Sequence, residues 1–407
     1  MRKPRLGGGF AKARLCSLPM DTLTHALSGA LLARLMAVRI DSASVLPDLL
    51  TAGKTAPGRW TAPWDGRPGA PRLWQCVVVG AVAGAFPDID VVARAFGDTA
   101  YLTQHRGITH SLLMLPLWAA ALAWLLSKCF SGTREQAGAW KSLLALTAGG
   151  IAIHIVGDWI TQFGTMLLQP LSNQRFGLGA MFIIDLVFSG LLLVGLLLAA
   201  LLPRRRWPAL MGLGAAAVWV GVAWTGQQEA IAVAQRHALV SGIPAPQIVV
   251  MPRPASPFNW TVTVFDGRSY HVAHINTRRT QALDPRLRVW WLPAFVRDYS
   301  APYQPASQAA WQTVPRFGGP GAPDWVAQAW GHEAFGFYRW FAQTPALLEA
   351  GETPNADGMA QRCVVFRDLR FDFPGRDEGP FRYGLCLPAG GVPLQLFKLE
   401  GGVRRPV

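Results

Sequence analysis

Long apolar runs fill the first 225 residues of this 407-residue chain, and histidines and aspartates are lodged inside or beside them. The runs lie at about 22–38, 74–92, 107–127, 142–163, 181–202 and 207–225. Most approach the roughly 17–25 residues that a hydrocarbon core demands of a helix. The first is short and carries Arg34, so it is read as partly interfacial. The run 181–202 is the clearest span, even with Asp185 near its start. Only 15% of residues are charged, which is low for a soluble protein. One Asp at the centre of a membrane helix costs about 2.5–3.5 kcal/mol on insertion scales. His25, Asp88, Asp90, His105, His110, His154, Asp158 and Asp185 all fall in this half. A chain that repeats that cost needs a compensating ligand, and divalent metal ions are the obvious one.

The net charge is +14, and most of the excess flanks the apolar runs. Residues 1–225 hold 20 basic and 10 acidic residues, and residues 226–407 hold 18 and 14. Flanks that follow the positive-inside rule account for this, and nucleic acid is not an expected partner. With six spans, the loops at 39–74, 128–141 and 203–206 share one side and carry eleven Lys/Arg. The opposite loops carry three: Arg94, Arg106 and Arg175. The eleven-rich side is expected to be cytoplasmic, which puts the tail outside. Arg2, Lys3, Arg5, Lys12 and Arg14 pull the other way, unless Met20 opens the native chain. The first 19 residues lack the apolar stretch of a cleavable signal peptide.

Residues 51–72 are rich in Pro, Gly and Ala and read as a loop. Beyond about residue 243 the pattern changes. QIVVMP, NWTVTVF, RSYHVAHI, RVWWLP, RCVVFRDLRF, RYGLCLP and LQLFKL are short and rich in β-branched and aromatic residues, as strands are. Pro323 to Thr344 reads as one amphipathic helix. The expected architecture is mainly α: a polytopic helical membrane domain over 20–225, with about six spans and a metal site near one leaflet. A soluble α+β domain over 226–407 follows it, and residues 1–19 form an N-terminal extension. No CxxC occurs among the five cysteines. In an oxidising compartment Cys363 and Cys386 could pair; two buried free thiols are the alternative.

Four short motifs carry the chemistry. His154 and Asp158 stand at i and i+4, on one face of a helix, a good chelating pair or an Asp orienting a buried His. Phe86-Pro87-Asp88-Ile89-Asp90 ends the second run, and two carboxylates two apart converge only in a turn or extended segment, which Pro87 favours. Such pairs bind hard or borderline cations. His105 and His110 are expected in the first turn and lead-in of the third span, with Arg106 between them. Arg106 could clamp an anion bidentately or make a structural salt bridge to Asp88 or Asp90. Thr109 and Ser111 could cap the helix or orient a ligand. His25 opens the first run behind Asp21, an expected N-cap. Asp185 sits one turn into the fifth.

The six-span topology joins these motifs. Starts of odd helices and ends of even helices meet on one face, and every motif falls there. Four Asp would be neutralised by two divalent ions, with neutral His filling the remaining positions. Mixed His/Asp ligation without Cys suits Zn²⁺, with Mn²⁺ or Fe possible, and disfavours a closed structural zinc site.

Taken in order, MDTLTHALSGALLARL, GAFPDID, HRGITHS and HIVGDWITQFG, followed by an apolar span with Asp185, resemble the YdjM-type family of membrane-bound metal-dependent hydrolases. The resemblance covers roughly residues 20–200. In its His/Asp pattern that family resembles zinc-dependent phospholipase C and the P1-type nucleases. The resemblance implies that His25, Asp88, His105, His110, His154 and Asp158 are metal ligands, with Asp90 and Asp185 as further members. It implies a multi-pass protein of the bacterial inner membrane. It carries no substrate, because the family is defined by sequence more than by a known reaction.

The expected function is hydrolysis of a phosphoester of a lipid, or of another membrane-associated ester, by a metal-activated water. Asp158 or Asp90 would be the general base, and Arg106 would hold the phosphate. A metal-binding membrane protein for transport, sensing or assembly, without hydrolysis, is the alternative. In the tail, His271 and His274 would face opposite sides of a strand. His332-Glu333 lacks the second His of a zincin motif, since Gly336 stands there. The aromatic helix around Trp325, Trp330, Phe335 and Trp340 reads as domain core.

Overall fold

A computed structural model describes residues 20–37, 71–134, 139–284, 294–354, 360–374, 376, 379–388 and 394–407. The N-terminal extension, most of the 51–72 loop and the expected strand RVWWLP lie outside the described residues.

The apolar runs fold as helices: α1 Met20–Ala37, α2 Leu73–Ala85, α3 Asp98–Gln104, α4 Leu115–Cys129, α5 Trp140–Trp159, α6 Leu186–Leu201 and α7 Trp207–Val240. A 3-10 segment, Phe86–Phe96, continues from α2. Among the described residues, three stretches are long and apolar enough to cross a membrane: Leu73–Phe96, Trp140–Trp159 and Trp207–Val240. Asp98–His110 and Leu115–Cys129 make a fourth only if counted as one span bent by 80°. Apolar side chains on these helices point outward, among them Leu193, Val194 and Leu197 of α6 and Leu210 and Met211 of α7. Such exposure suits a lipid solvent and would be a liability in water. The half of the chain before residue 226 is therefore helical and carries membrane helices.

The third run departs from its expected form. Its helix opens only at Leu115, so His105 and His110 sit in an irregular lead-in. The break has two local causes. Arg106 adopts a left-handed conformation, φ 57°, which no helix accommodates. Ser111 then accepts hydrogen bonds from the Leu113 and Met114 amides, capping the chain before α4.

By packing, the chain divides into two units, each drawn from several segments. One comprises residues 1–88, 115–154 and 187–215; the other comprises 89–114, 155–186 and 216–407. In the first, α1 and α2 approach with glycine against glycine. A Cβ on Gly29 would collide with the Gly80 carbonyl, and one on Gly80 with the Gly29 carbonyl. Small residues allow helix backbones to approach this closely. Arg34 is buried in the same unit and donates to the Pro203 carbonyl at 2.6 Å and to the Ala199 carbonyl at 3.2 Å. The cation thus satisfies carbonyls at the end of α6, where a positive charge is favoured.

The second unit contains two antiparallel-rich sheets. One runs β1 Gln247–Pro252, β2 Asn259–Phe265, β3 Ser269–Asn276, β4 Gln304–Pro305, with β5 Gln312–Pro315 also on β3. The other runs β10-β9-β8-β7-β6, built from β6 Pro345–Pro354, β7 Ala360–Asp368, β8 Tyr383–Cys386, β9 Gln395–Glu400 and β10 Val403–Pro406. Cys363 and Cys386 stand opposite each other on β7 and β8 and form a disulfide.

The single helix expected over 323–344 is broken into α9 Trp325–Gly331, a 3-10 turn Glu333–Phe335 and α10 Gly336–Phe341, after α8 Ala294–Ser300. His332 is extended there, and its ring accepts from the Ala334 amide. Arg339 ties the break by donating to the His332 carbonyl at 2.6 Å. The kink lets Trp330, Phe335, Tyr338 and Phe341 all bury in one core with Phe366 and Tyr383. Trp340 is not in that core; it is exposed and stacks on Arg175. Leu102 of α3 belongs to the core, which anchors the segment that follows it, His105 to His110.

Candidate functional site

In the first unit, His25 of α1, His154 of α5 and Asp88 of the 3-10 segment come together. The His25 and His154 rings stack with centroids 3.8 Å apart, and both are buried. Gly84 makes the approach possible, since a Cβ there would strike the His25 carbonyl. The Gly84 carbonyl faces His154 Nδ1 at 2.6 Å. A carbonyl only accepts, so Nδ1 carries the proton and Nε2 of the neutral ring carries a lone pair. Nε2 faces Asp88 Oδ1 at 3.7 Å. Two acceptors across such a gap need a proton or a cation between them. An N–H given to a backbone carbonyl is the usual way a metal-binding histidine is oriented. Thr22 donates to Asp88 Oδ2 at 2.5 Å and fixes the carboxylate.

In the second unit, Asp90, His105, Arg106, His110 and Asp158 form a continuous cluster. His105 Nδ1 lies 3.1 Å from Asp90 Oδ2. His110 spans two carboxylates, with Nδ1 3.6 Å from Asp90 and Nε2 3.1 Å from Asp158. The left-handed turn at Arg106 serves this arrangement: its amide donates to Asp90 at 2.7 Å, while its guanidinium reaches Asp158 at 2.9 Å. The guanidinium is 2% exposed and also donates to Thr161 Oγ1. Arg106 thus makes a buried ion pair, and its partner is Asp158.

Two chain segments supply a member to each cluster. Asp88 and Asp90 are two residues apart on the 3-10 segment, and His154 and Asp158 are one turn apart on α5. Pro87 starts a 3-10 segment here, not the turn or extended stretch that Asp88-Ile89-Asp90 led us to expect. His25, Asp88 and His154 in the first unit, and His110 and Asp158 in the second, are side chains that could bind a metal. The donor set is nitrogen and carboxylate oxygen without sulfur, which fits zinc, manganese or iron. Asp185 precedes α6 and does not sit one turn inside it; its Oδ2 accepts from Trp219 Nε1 at 3.0 Å.

Several neighbours of the clusters escaped the sequence reading. Arg175 donates to the carbonyls of His105 and Leu102, both at 3.0 Å, and to that of Gly164. Burial, then repulsion from Arg106 and Arg370, draws its guanidinium down to about 9, so it stays charged at neutral pH. Phe163 packs edge-on to His105 and lies under both Arg106 and Arg175. Thr161 had a local signal, three residues past Asp158 and bonded to its carbonyl. Thr22 had one too, a hydroxyl three residues ahead of His25. Arg175 and Phe163 had none, because only tertiary contacts bring them here. In the tail, His271 neighbours Asp266 and His237, while His274 bonds Thr261, so the two histidines have separate partners.

A helical membrane protein with buried, mixed His/Asp clusters is the class that fold and site define. The family model described as "YdjM inner membrane protein" matches residues 20–230, more than half of the sequence, and the chain belongs to that family. A similar curated protein is "Uncharacterized protein YfhP" of Bacillus subtilis (strain 168), 28% identical over 110 residues. That match covers 27% of this chain and 32% of the relative, so the two correspond over only about a third of the relative's length. No solved structure matches the chain.

Proposed function

We propose that the protein is a membrane-bound, metal-dependent hydrolase that cleaves a phosphoester of a lipid or of another membrane-associated substrate. The observation that carries this reading is His154. Its Nδ1 proton is committed to the Gly84 carbonyl, and its Nε2 lone pair is turned toward the Asp88 carboxylate. Two divalent ions, zinc above all, would be held by His25, Asp88 and His154 together with Asp90, His105, His110 and Asp158. Asp185, paired with Trp219, would serve at the edge of the set. Such ions supply Lewis acidity and lower the pKa of a bound water. The chain's own groups do the rest. Asp158 or Asp90 accepts the proton released in the reaction. Arg106 holds Asp158 in place, and it reaches a substrate phosphate only by giving up part of that pairing.

We place the protein in the bacterial inner membrane with about six spans and the tail outside. The bias of Lys/Arg among the loops supports this, and so does the Cys363–Cys386 disulfide, a bond of oxidising compartments. A metal-binding protein without hydrolytic activity is the second reading, favoured by the closed pairing of Asp158 with Arg106. The test is metal content by mass spectrometry on detergent-purified protein, wild type beside His154→Ala/Asp158→Ala, followed by release of phosphorylated headgroups from phospholipids. About two ions per chain, lost in the folded variant together with hydrolysis, is the expected result. A well-folded wild type without metal after reloading would remove the reading. Bound metal without any hydrolysis would leave the second one.

A further inference from the structure

Within the second unit a half-open cavity of about 460 Å³ is walled in part by Phe163 and Arg175. Both residues also touch the second cluster, Phe163 through the His105 ring and Arg175 through the His105 carbonyl. The volume lies within the roughly 300–1,000 Å³ of small-molecule sites. Its lining has an unusual polar composition. Four carboxamides, Gln162, Gln227, Gln235 and Gln343, face one cation, Arg175, and none of the described lining residues is acidic. The rest is the Phe163 ring, glycine backbone and aliphatic side chain.

Each carboxamide both donates and accepts hydrogen bonds, the same double capacity a hydroxyl has. Gln227 is buried, and its amide is held by the Leu178 carbonyl at 2.8 Å, so this part of the lining is fixed before any ligand arrives. Arg175 donates to three carbonyls and, among the described residues, makes no direct ion pair with a carboxylate; Asp90 and Asp158 favour its charge from a distance. A guanidinium of this kind matches a phosphate. A lining with no carboxylate gives a choline or ethanolamine cation no opposite charge, and Phe163, the aromatic ring of the described lining, already lies under Arg106 and Arg175.

We propose that this cavity is the recognition pocket of the hydrolase and takes the phosphate ester of a polyol, with Arg175 on the phosphate and the glutamines on the hydroxyls. Its assignment as a substrate pocket rests on the hydrolase reading above. The polyol phosphate is either a lipid headgroup or a free ester, and the chemistry recognised is the same.

The experiment is calorimetric titration of the full-length protein in detergent with glycerol 3-phosphate, phosphocholine and inorganic phosphate. Glycerol phosphate should bind at least about tenfold more tightly than either of the others. Gln235→Leu/Gln343→Leu changes two exposed side chains; it should weaken glycerol phosphate about tenfold and leave inorganic phosphate unaffected. Arg175→Gln should weaken both phosphates. Equal binding of phosphocholine and glycerol phosphate, or no binding of either by folded protein, overturns the proposal. Phosphatidylglycerol micelles that compete better than glycerol phosphate identify a lipid source; micelles that compete no better identify a free ester. Turnover is scored separately. Selective binding without hydrolysis of any phospholipid leaves the pocket and removes the hydrolase. Hydrolysis of phosphatidylcholine as fast as phosphatidylglycerol removes the pocket and leaves the hydrolase.

Discussion

At the scale of single residues, the most consequential choice is burying Arg106 against Asp158. The two side chains are 2% and 1% exposed, so each depends on the other for compensation. Removing one partner of a buried pair costs about 3–5 kcal/mol, whereas replacing both with apolar groups can be nearly neutral. Arg106→Met should therefore destabilise the protein by about that amount, and Arg106→Met/Asp158→Leu should recover most of it. Chemical denaturation in detergent measures both; a single variant as stable as wild type would contradict the pairing. In the tail, burial and then Arg253 lower the His274 pKa to about 4. In the unfolded chain this histidine takes up a proton near pH 6.5, while in the fold it resists until about pH 4. Its contribution to stability is therefore complete above about pH 6.5 and declines as pH falls toward 4, by up to about 3 kcal/mol. His274→Gln should flatten the stability difference across that window, as read from thermal unfolding at a series of pH values.

At the scale of elements, glycine decides how closely helices approach. Gly29, Gly80 and Gly84 let α1 and α2 meet backbone to backbone, and this sets His25 against His154. Gly80→Val would overpack the contact, at a typical cost of about 1–3 kcal/mol. The expected readout is a lowered unfolding midpoint together with reduced metal retention. Unchanged metal content would mean that the contact does not position the first cluster. The sequence reading recovered the long apolar helices and most described strands because hydropathy and period 2 are local signals. QIVVMP and NWTVTVF match β1 and β2 residue for residue. It missed the break before α4 and the kink at His332. The first turns on a left-handed Arg106 whose amide and guanidinium find Asp90 and Asp158 elsewhere in the chain, and the second on aromatic side chains of α9 and α10 packing on β7 and β8. It also missed β4, β5, β6 and β10, whose residues carry little β-branched pattern but find a strand to pair with.

At the scale of the whole molecule, the question is which side of the membrane the tail occupies. Cys363 and Cys386 close a loop with a separation of 23 residues, and a loop of that size is worth about 2–4 kcal/mol of stability. Cys363→Ser/Cys386→Ser should lose that much, and a reductant should have the same effect on wild type but none on the variant. Protein isolated from cells with its thiols blocked should carry this bond. An alkaline phosphatase fusion at the C-terminus should be active; an inactive fusion beside an active β-galactosidase fusion would place the tail in the cytoplasm.

The chain alone determined that it forms apolar helices followed by a sheet-containing domain, because hydropathy and side-chain period are written in neighbouring residues. It also showed that His25, Asp88, Asp90, His105, His110, His154, Asp158 and Asp185 lie inside or beside apolar runs, where charge is costly. Their partners were decided only by tertiary structure. The Gly84 carbonyl that fixes the His154 tautomer, the Asp158 carboxylate that receives Arg106, and the glutamines beside Arg175 lie 52 or more residues away or carry no local signal. Hydrogen bonds and ion pairs form between whatever groups packing brings within about 3 Å, and sequence spacing does not encode that distance.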